Sequence, residues 1–141
     1  MANVTFTEDT LRYIAFFQEA TRTTVVDCVE NENRLIYVVQ EGDLGRAIGK
    51  GGENVARLRQ KMKKEILVIE LSSDPATFVR NVFRPYGVKK VEIEDREGVT
   101  HATVTVSATE KGRAIGREGR NLRLWRDLIA RHHAITSVNV A

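Results

Sequence analysis

GRAIGKGGENVARLR, residues 45–59, returns at residues 112–126 as GRAIGREGRNLRLWR, with eight of fifteen positions identical and Lys50 answered by Arg117. The two copies lie 67 residues apart. That period is too long for a stacked solenoid repeat, so the chain reads as two copies of one small domain, 1–72 and 73–141. Inside each copy sits Ile-Gly-x-x-Gly, at 48–52 and at 115–119. Function is expected there.

Working outward, each half of the 141-residue chain is close to the lower size for an independent core, which predicts that the halves pack on each other. The junction Leu71-Ser72-Ser73-Asp74 runs straight into Pro75 with no Gly/Ser-rich linker. A stiff tandem follows, whose two loops are expected to read one continuous strand. The single Cys28 excludes an internal disulfide and lacks the partners of a zinc site, so it reads as a small core residue in a reducing interior. No apolar run approaches the roughly 20 residues of a membrane span, and the N-terminus lacks a charged-then-apolar signal pattern. The expected location is cytoplasmic.

The net charge of +3 hides a strong segregation. Residues 45–64 carry seven basic side chains against one acidic, and residues 112–131 carry six against two, which leaves −7 on the other 101 residues. Basic charge concentrates where the glycines are, as a site for a polyanion requires. Arg57, Lys61 and Lys64 taken singly read equally well as the solvated face of an amphipathic helix.

Thr7 before Glu8 and Asp9 marks a helix start, and Leu11, Ile14, Ala15 and Gln18 fall on one side of a helix ending near Ala20. Its counterpart opens on Asp74 as N-cap with Pro75 in the first helical position, carries Phe78, Val79, Val82 and Phe83 as its stripe, and stops at Arg84-Pro85. Strands are expected over 24–29, 35–39 and 66–71, and again over 88–93, 102–106 and 135–140. Hairpin turns fall at Glu32-Asn33 and Glu97-Gly98. A helix follows each glycine loop, with Val55, Leu58 and Met62, or Leu122, Trp125 and Ile129, at core spacing. The order is helix, strand, strand, helix, loop, helix, strand, twice.

This order, with the isoleucine, the basic variable residue and the asparagine two places after each glycine pair (Asn54, Asn121), resembles the type II KH domain. The resemblance covers both copies, and two such domains alone are similar to the archaeal NusA-like transcription factors, related to the KH portion of bacterial NusA. It implies an α+β fold of two tandem domains, each a three-stranded mixed sheet covered by three helices on one face. It also implies a non-catalytic factor for single-stranded RNA in transcription termination or antitermination, with no cofactor and no metal. RNA polymerase or other transcription factors are the implied protein partners, and the chain is expected to be a monomer. The N-terminal polymerase-binding region and S1 domain of bacterial NusA are not recognised, so polymerase contact does not follow from the resemblance. An alternative is a KH-fold interaction scaffold or ribosome-assembly protein in which one or both loops are vestigial.

Chemistry supports RNA beside the resemblance. Gly49, Gly52, Gly116 and Gly119 permit a tight turn and leave the backbone open to a phosphate, while the next helix starts with its positive dipole end at the same place. Lys50 and Arg117 add charge at the tips, Gly51 keeps the first tip bare, and Arg46, Arg113 and Arg120 lie alongside. By resemblance the loop clamps about four nucleotides, with bases against an apolar groove to which Ile48, Val55, Ile115 and Leu122 contribute. Spacing favours core packing for those four. Glu118 replaces Gly51 in the second loop and opposes Arg117, with Arg120 and Arg123 as compensation, so the first loop is the stronger expected clamp.

A nucleotide-binding P-loop is excluded because only three residues separate Gly45 from Gly49 and no Ser or Thr follows Lys50. His101, His132 and His133 lack the carboxylate or thiolate spacing of a metal or acid–base site. The adjacent pair is expected to satisfy carbonyls at a helix end. Trp125 reads as core or interdomain contact rather than as a stacking platform.

Overall fold

A computed structural model describes residues 6–141. They form two compact units, one ending at Ser72 and the other spanning Ser73–Ala141. The first contains α1 (Glu8–Thr21), β1 (Val25–Asn31), β2 (Arg34–Val39), α2 (Leu44–Ile48), α3 (Glu53–Met62) and β3 (Glu65–Glu70). The second repeats the order with α4 (Pro75–Phe83), β4 (Val88–Arg96), β5 (Val99–Val106), α5 (Lys111–Ile115), α6 (Arg120–His132) and β6 (Ser137–Val140).

Each sheet has three strands, and both are mixed. β1 and β2 pair antiparallel across a hairpin in which Asn31 faces Arg34, and β4 and β5 do so with Arg96 facing Val99. The second hairpin turns on Glu97 (φ 53°) and Gly98 (φ 79°), two left-handed residues whose twist suits adjoining strands. β3 lies parallel to β2, and β6 parallel to β5. A parallel partner requires a crossover, and the crossover here is the helix–loop–helix that carries the glycines. The loop therefore hangs on two ladders rather than on a free connection.

Alternation along β2 sends Leu35, Tyr37 and Val39 to the helices, where they meet Phe17 of α1, Ala47 of α2 and Val55 and Leu58 of α3, with Cys28 and Ile66 from the flanking strands. Phe17 stacks on Tyr37 with ring centroids 4.1 Å apart. The Tyr37 hydroxyl donates to the Tyr13 carbonyl at 3.0 Å, and burial raises its pKa so that the phenol stays protonated. In the second unit Ala102, Val104 and Val106 of β5 are buried, as are Phe78 and Val82 of α4, Ala114 of α5, and Trp125, Leu128 and Ile129 of α6.

The caps form as the sequence indicates. Thr7 Oγ1 accepts from the Thr10 N–H at 3.1 Å, and Asp74 Oδ2 accepts from the Thr77 N–H at 3.0 Å and its hydroxyl at 2.6 Å. The face of α1 differs from expectation. Leu11 and Ala15 are exposed, and the buried side consists of Thr10, Phe17 and Thr21, flanked by Tyr13 and Ile14. Both threonines bury because their hydroxyls donate back into the helix, Thr10 to the Thr7 carbonyl at 2.9 Å and Thr21 to the Phe17 carbonyl at 2.8 Å. Among the described residues no helix is long and apolar enough to cross a membrane.

Candidate nucleic-acid interface

Each glycine segment opens with a five-residue helix, turns through Gly49 (φ 80°) or Gly116 (φ 75°), and makes one 3-10 turn before α3 or α6 begins. The Gly52 N–H donates to the Gly49 carbonyl at 3.1 Å, and Gly119 donates to Gly116 at the same distance. Gly52 and Gly119 are the helix N-caps, with φ of 77° and 72°. A glycine cap supplies no acceptor of its own, so the first-turn donors and the dipole face outward for an anion.

The two glycines of each loop do different work. A Cβ added to Gly49 would stand 2.8 Å from Asn54 Cγ, and one added to Gly116 would stand 2.9 Å from Asn121 Cγ. The asparagines hold that position because Asn54 Nδ2 donates to the Arg46 carbonyl at 2.9 Å and Asn121 Nδ2 to the Arg113 carbonyl at 2.8 Å. The first glycine thus makes room for a latch between the helices. Gly52 has open space where its Cβ would lie, so its requirement is the left-handed backbone. The spacing of the asparagines was visible in the sequence, and the latch they form was not.

Further anchors fix the entry to the first loop. Glu70 Oε2 accepts from the Gly42 and Leu44 N–H groups at 3.1 and 3.2 Å, and Asp43 Oδ2 accepts from the Thr24 N–H at 2.9 Å. These carboxylates tie the start of α2 to β3 and to the chain just before β1.

The basic residues divide into held and unheld. Arg46 donates to the Arg22 carbonyl at 3.0 Å and lies 3.8 Å from Asp43. Arg113 pairs with Glu110 and sits over the Tyr86 ring, 5.7 Å from its centroid. Lys50, Arg117 and Arg120 are exposed, and their side chains have no hydrogen bond or ion pair among the described residues. Arg123 donates to the Glu118 carbonyl at 2.7 Å, so it braces the second loop rather than standing free beside it. Gly51 and Glu118 are both exposed at their tips.

Val55 is buried in the core and Ile48, half-buried, packs against it, as the spacing favours, whereas Ile115 and Leu122 are half-buried beside the second loop. Trp125 is fully buried, with Tyr86 at 6.4 Å between ring centroids. The His132 and His133 rings lie 5.6 and 5.3 Å from Phe78. Both rings pack on an aromatic face, and the helix end is closed by the His133 backbone N–H donating to the Ile129 carbonyl at 2.9 Å.

Comparison with known proteins matches this architecture. Residues 11–73 fit the family model of the KH domain, and residues 75–140 fit that of the NusA-like second KH domain. The chain is 36% identical to the "Probable transcription termination protein NusA" of Thermoplasma acidophilum over 99% of its own length and 97% of that protein. The chain belongs to the archaeal NusA-like family. A relative of the same description in Methanocaldococcus jannaschii is 34% identical, over 99% of this chain and 76% of that protein. The crystal structure of APE1850 superposes with a TM-score of 0.72 at 36% identity, covering 96% of this chain and all of that one. The two units are therefore KH domains in tandem, and each KH match contains one complete glycine segment.

Proposed function

We propose that the protein is a non-catalytic single-stranded RNA-binding factor in transcription termination or antitermination, with each glycine loop clamping the RNA backbone. The observation that carries this reading is the pairing of a glycine-capped helix start with unheld cations at its edge: Lys50 in the first domain, Arg117 and Arg120 in the second. Donors from the backbone together with mobile point charges suit holding a phosphodiester rather than cleaving it. Ile48, Gly49, Gly51 and Gly52 complete the first contact surface, and Ile115, Gly116 and Gly119 the second. Arg46 and Arg113 contribute at the flank through the loop geometry they stabilise. The family's names supply the transcription role, carried over from relatives over nearly the full chain.

The test is a salt titration of binding to an unstructured RNA, with a hairpin stem of equal length alongside. Affinity is expected to fall with salt at a slope of about −0.7 per phosphate neutralised, and the duplex to bind much more weakly. Equal affinity for stem and single strand removes the clamp. Absence of binding to either form leaves the interaction-scaffold reading in its place.

A further inference from the structure

The first domain carries a second surface that the glycine loop does not use. Two adjoining clefts of about 430 and 160 Å³ run between α1 and α3, and Phe16 and Lys61 line both of them. The Arg12 end of α1 faces Met62 and Lys64, and its Ala20 end faces Asn54 and Arg57, so the helices run antiparallel along one continuous trough. From Arg12 to Ala20 the trough is about 12 Å long at 1.5 Å per residue, two to three helical turns. Its floor is apolar, made by Tyr13, Phe16, Ala20, Leu58 and Met62. Phe16 is 42% exposed, one of the few large apolar side chains left open to water among the described residues. The residue 67 positions on, Phe83, is fully buried, on a helix of nine residues rather than fourteen.

The rim decides what fits. Three of its cations already hold a carboxylate: Arg12 with Asp9, Arg57 with Glu53 at 2.7 Å, and Lys64 with Glu30 at 3.2 Å. The Lys61 side chain, exposed at the centre of the trough, has no hydrogen bond or ion pair among the described residues. Those carboxylates leave the rim only weakly positive, poor for a polyphosphate chain. A single free ammonium beside an exposed phenyl ring suits one carboxylate next to one apolar anchor. We infer that this trough docks an amphipathic helix of a protein partner, its apolar side chains at i, i+3/i+4 and i+7 seated on Phe16 and Met62, and one carboxylate on Lys61. The docking is independent of RNA at the glycine loop.

The test uses the full chain and a synthetic helical peptide of about fifteen residues, with Leu at those spacings, one Glu placed to reach Lys61 and Ala or Gln elsewhere, against a scrambled peptide of identical composition. Fluorescence anisotropy is expected to show binding of the patterned peptide only, with amide shift changes confined to α1 and α3. Phe16→Ala and Lys61→Glu, both at exposed positions, should each weaken it about tenfold or more while leaving affinity for unstructured RNA unchanged. The proposal is overturned if the patterned peptide fails to bind, if the scrambled one binds equally, or if neither substitution matters. RNA displacing the peptide, or Phe16→Ala weakening RNA instead, assigns the trough to RNA and overturns it as well.

Discussion

At the tip of the first loop Gly51 turns the chain with φ 62°, and at the tip of the second Glu118 does so with φ 57°. A glycine adopts that conformation freely, whereas an L-residue there is disfavoured by roughly 1–2 kcal/mol. The two copies nevertheless share the same 3-10 turn, the same asparagine latch and the same glycine N-cap. What differs is charge at the tip and how it is braced. Lys50 stands beside a bare Gly51, while Arg117 stands beside Glu118, whose carbonyl is held by Arg123. The backbone clamp is thus the common device, and the tip side chains tune it.

The largest effect should come from reversing the tip charge of the first loop. Lys50→Asp with Gly51→Asp places two carboxylates where a phosphate would sit, and aspartate tolerates the left-handed position better than most residues. RNA affinity is expected to fall about tenfold or more, the worth of one lost charged contact, with the circular dichroism spectrum unchanged. Arg117→Asp should weaken binding less, because Glu118 already opposes that charge. Filter binding that finds the second substitution dominant breaks the ranking of the loops.

The latch offers a sharper comparison, because both copies carry it. Gly49→Ala forces a Cβ against Asn54 and should destabilise the first domain by about 2 kcal/mol, within the range for local backbone strain. Asn54→Ala loses one hydrogen bond, about 1 kcal/mol. The double variant should be less destabilised than the sum, since removing the asparagine side chain relieves part of the clash while its backbone nitrogen, 3.0 Å from the added Cβ, remains. Urea unfolding of the Gly116 and Asn121 counterparts is expected to give the same coupling. Unequal coupling would show that the two loops only look alike.

How far the sequence carries is visible in these particulars. Strand order, both hairpins and both caps were legible because each rests on local chemistry: β-branched runs, Glu97-Gly98, Thr7, and Asp74 before Pro75. The buried face of α1 was not. Phe16 and Phe17 are adjacent and equally apolar on paper, and Thr10 and Thr21 read as polar although their hydroxyls are satisfied within the helix. The glycine loops were located correctly, yet the sequence attributes Gly49 and Gly116 to phosphate approach, and the geometry adds a steric reason inside the protein. Likewise Arg46, Arg113 and Arg123 read as free cations until their carbonyl and carboxylate partners are seen. Arg46 reaches a carbonyl 24 residues back, whereas Arg113 and Arg123 find partners three and five residues away. A bond to a backbone carbonyl leaves no mark on a one-dimensional charge count, and a nearby opposite charge does not say which pairs close.

A smaller effect exchanges the two tips. Glu118→Gly relieves the left-handed strain and is expected to stabilise the second domain by up to about 1 kcal/mol, part of the gain being lost to the freer unfolded chain. Gly51→Glu should destabilise the first domain by a similar amount. The same pair of variants should strengthen RNA binding at the second loop and weaken it at the first. Thermal melts and binding measured on both variants separate strain from charge: if Glu118→Gly changes stability but not affinity, the carboxylate at the tip does not oppose the phosphate.

The smallest expected difference lies at the helix caps, where Thr7 and Asp74 fill the same role with different chemistry. Hydrogen bonds from the Thr77 hydroxyl, and then from its backbone N–H, lower the Asp74 pKa below the ordinary 3.8. A carboxylate whose folded value is depressed contributes stability in full above its unfolded value and loses it as pH falls through the folded one. The second domain should therefore lose a cap contribution between about pH 4 and the folded value below it, whereas Thr7 does not titrate and the first domain keeps its cap. Because Asp74 is fully exposed, solvent screening keeps this contribution small. Asp74→Thr gives the second domain the first domain's cap and should flatten that part of the acid limb, read as a smaller drop in melting temperature between pH 5 and pH 2 than in the unsubstituted chain, about the interval bracketing the carboxylate. An identical drop in both proteins would place the acid sensitivity elsewhere and leave the two caps equivalent in practice.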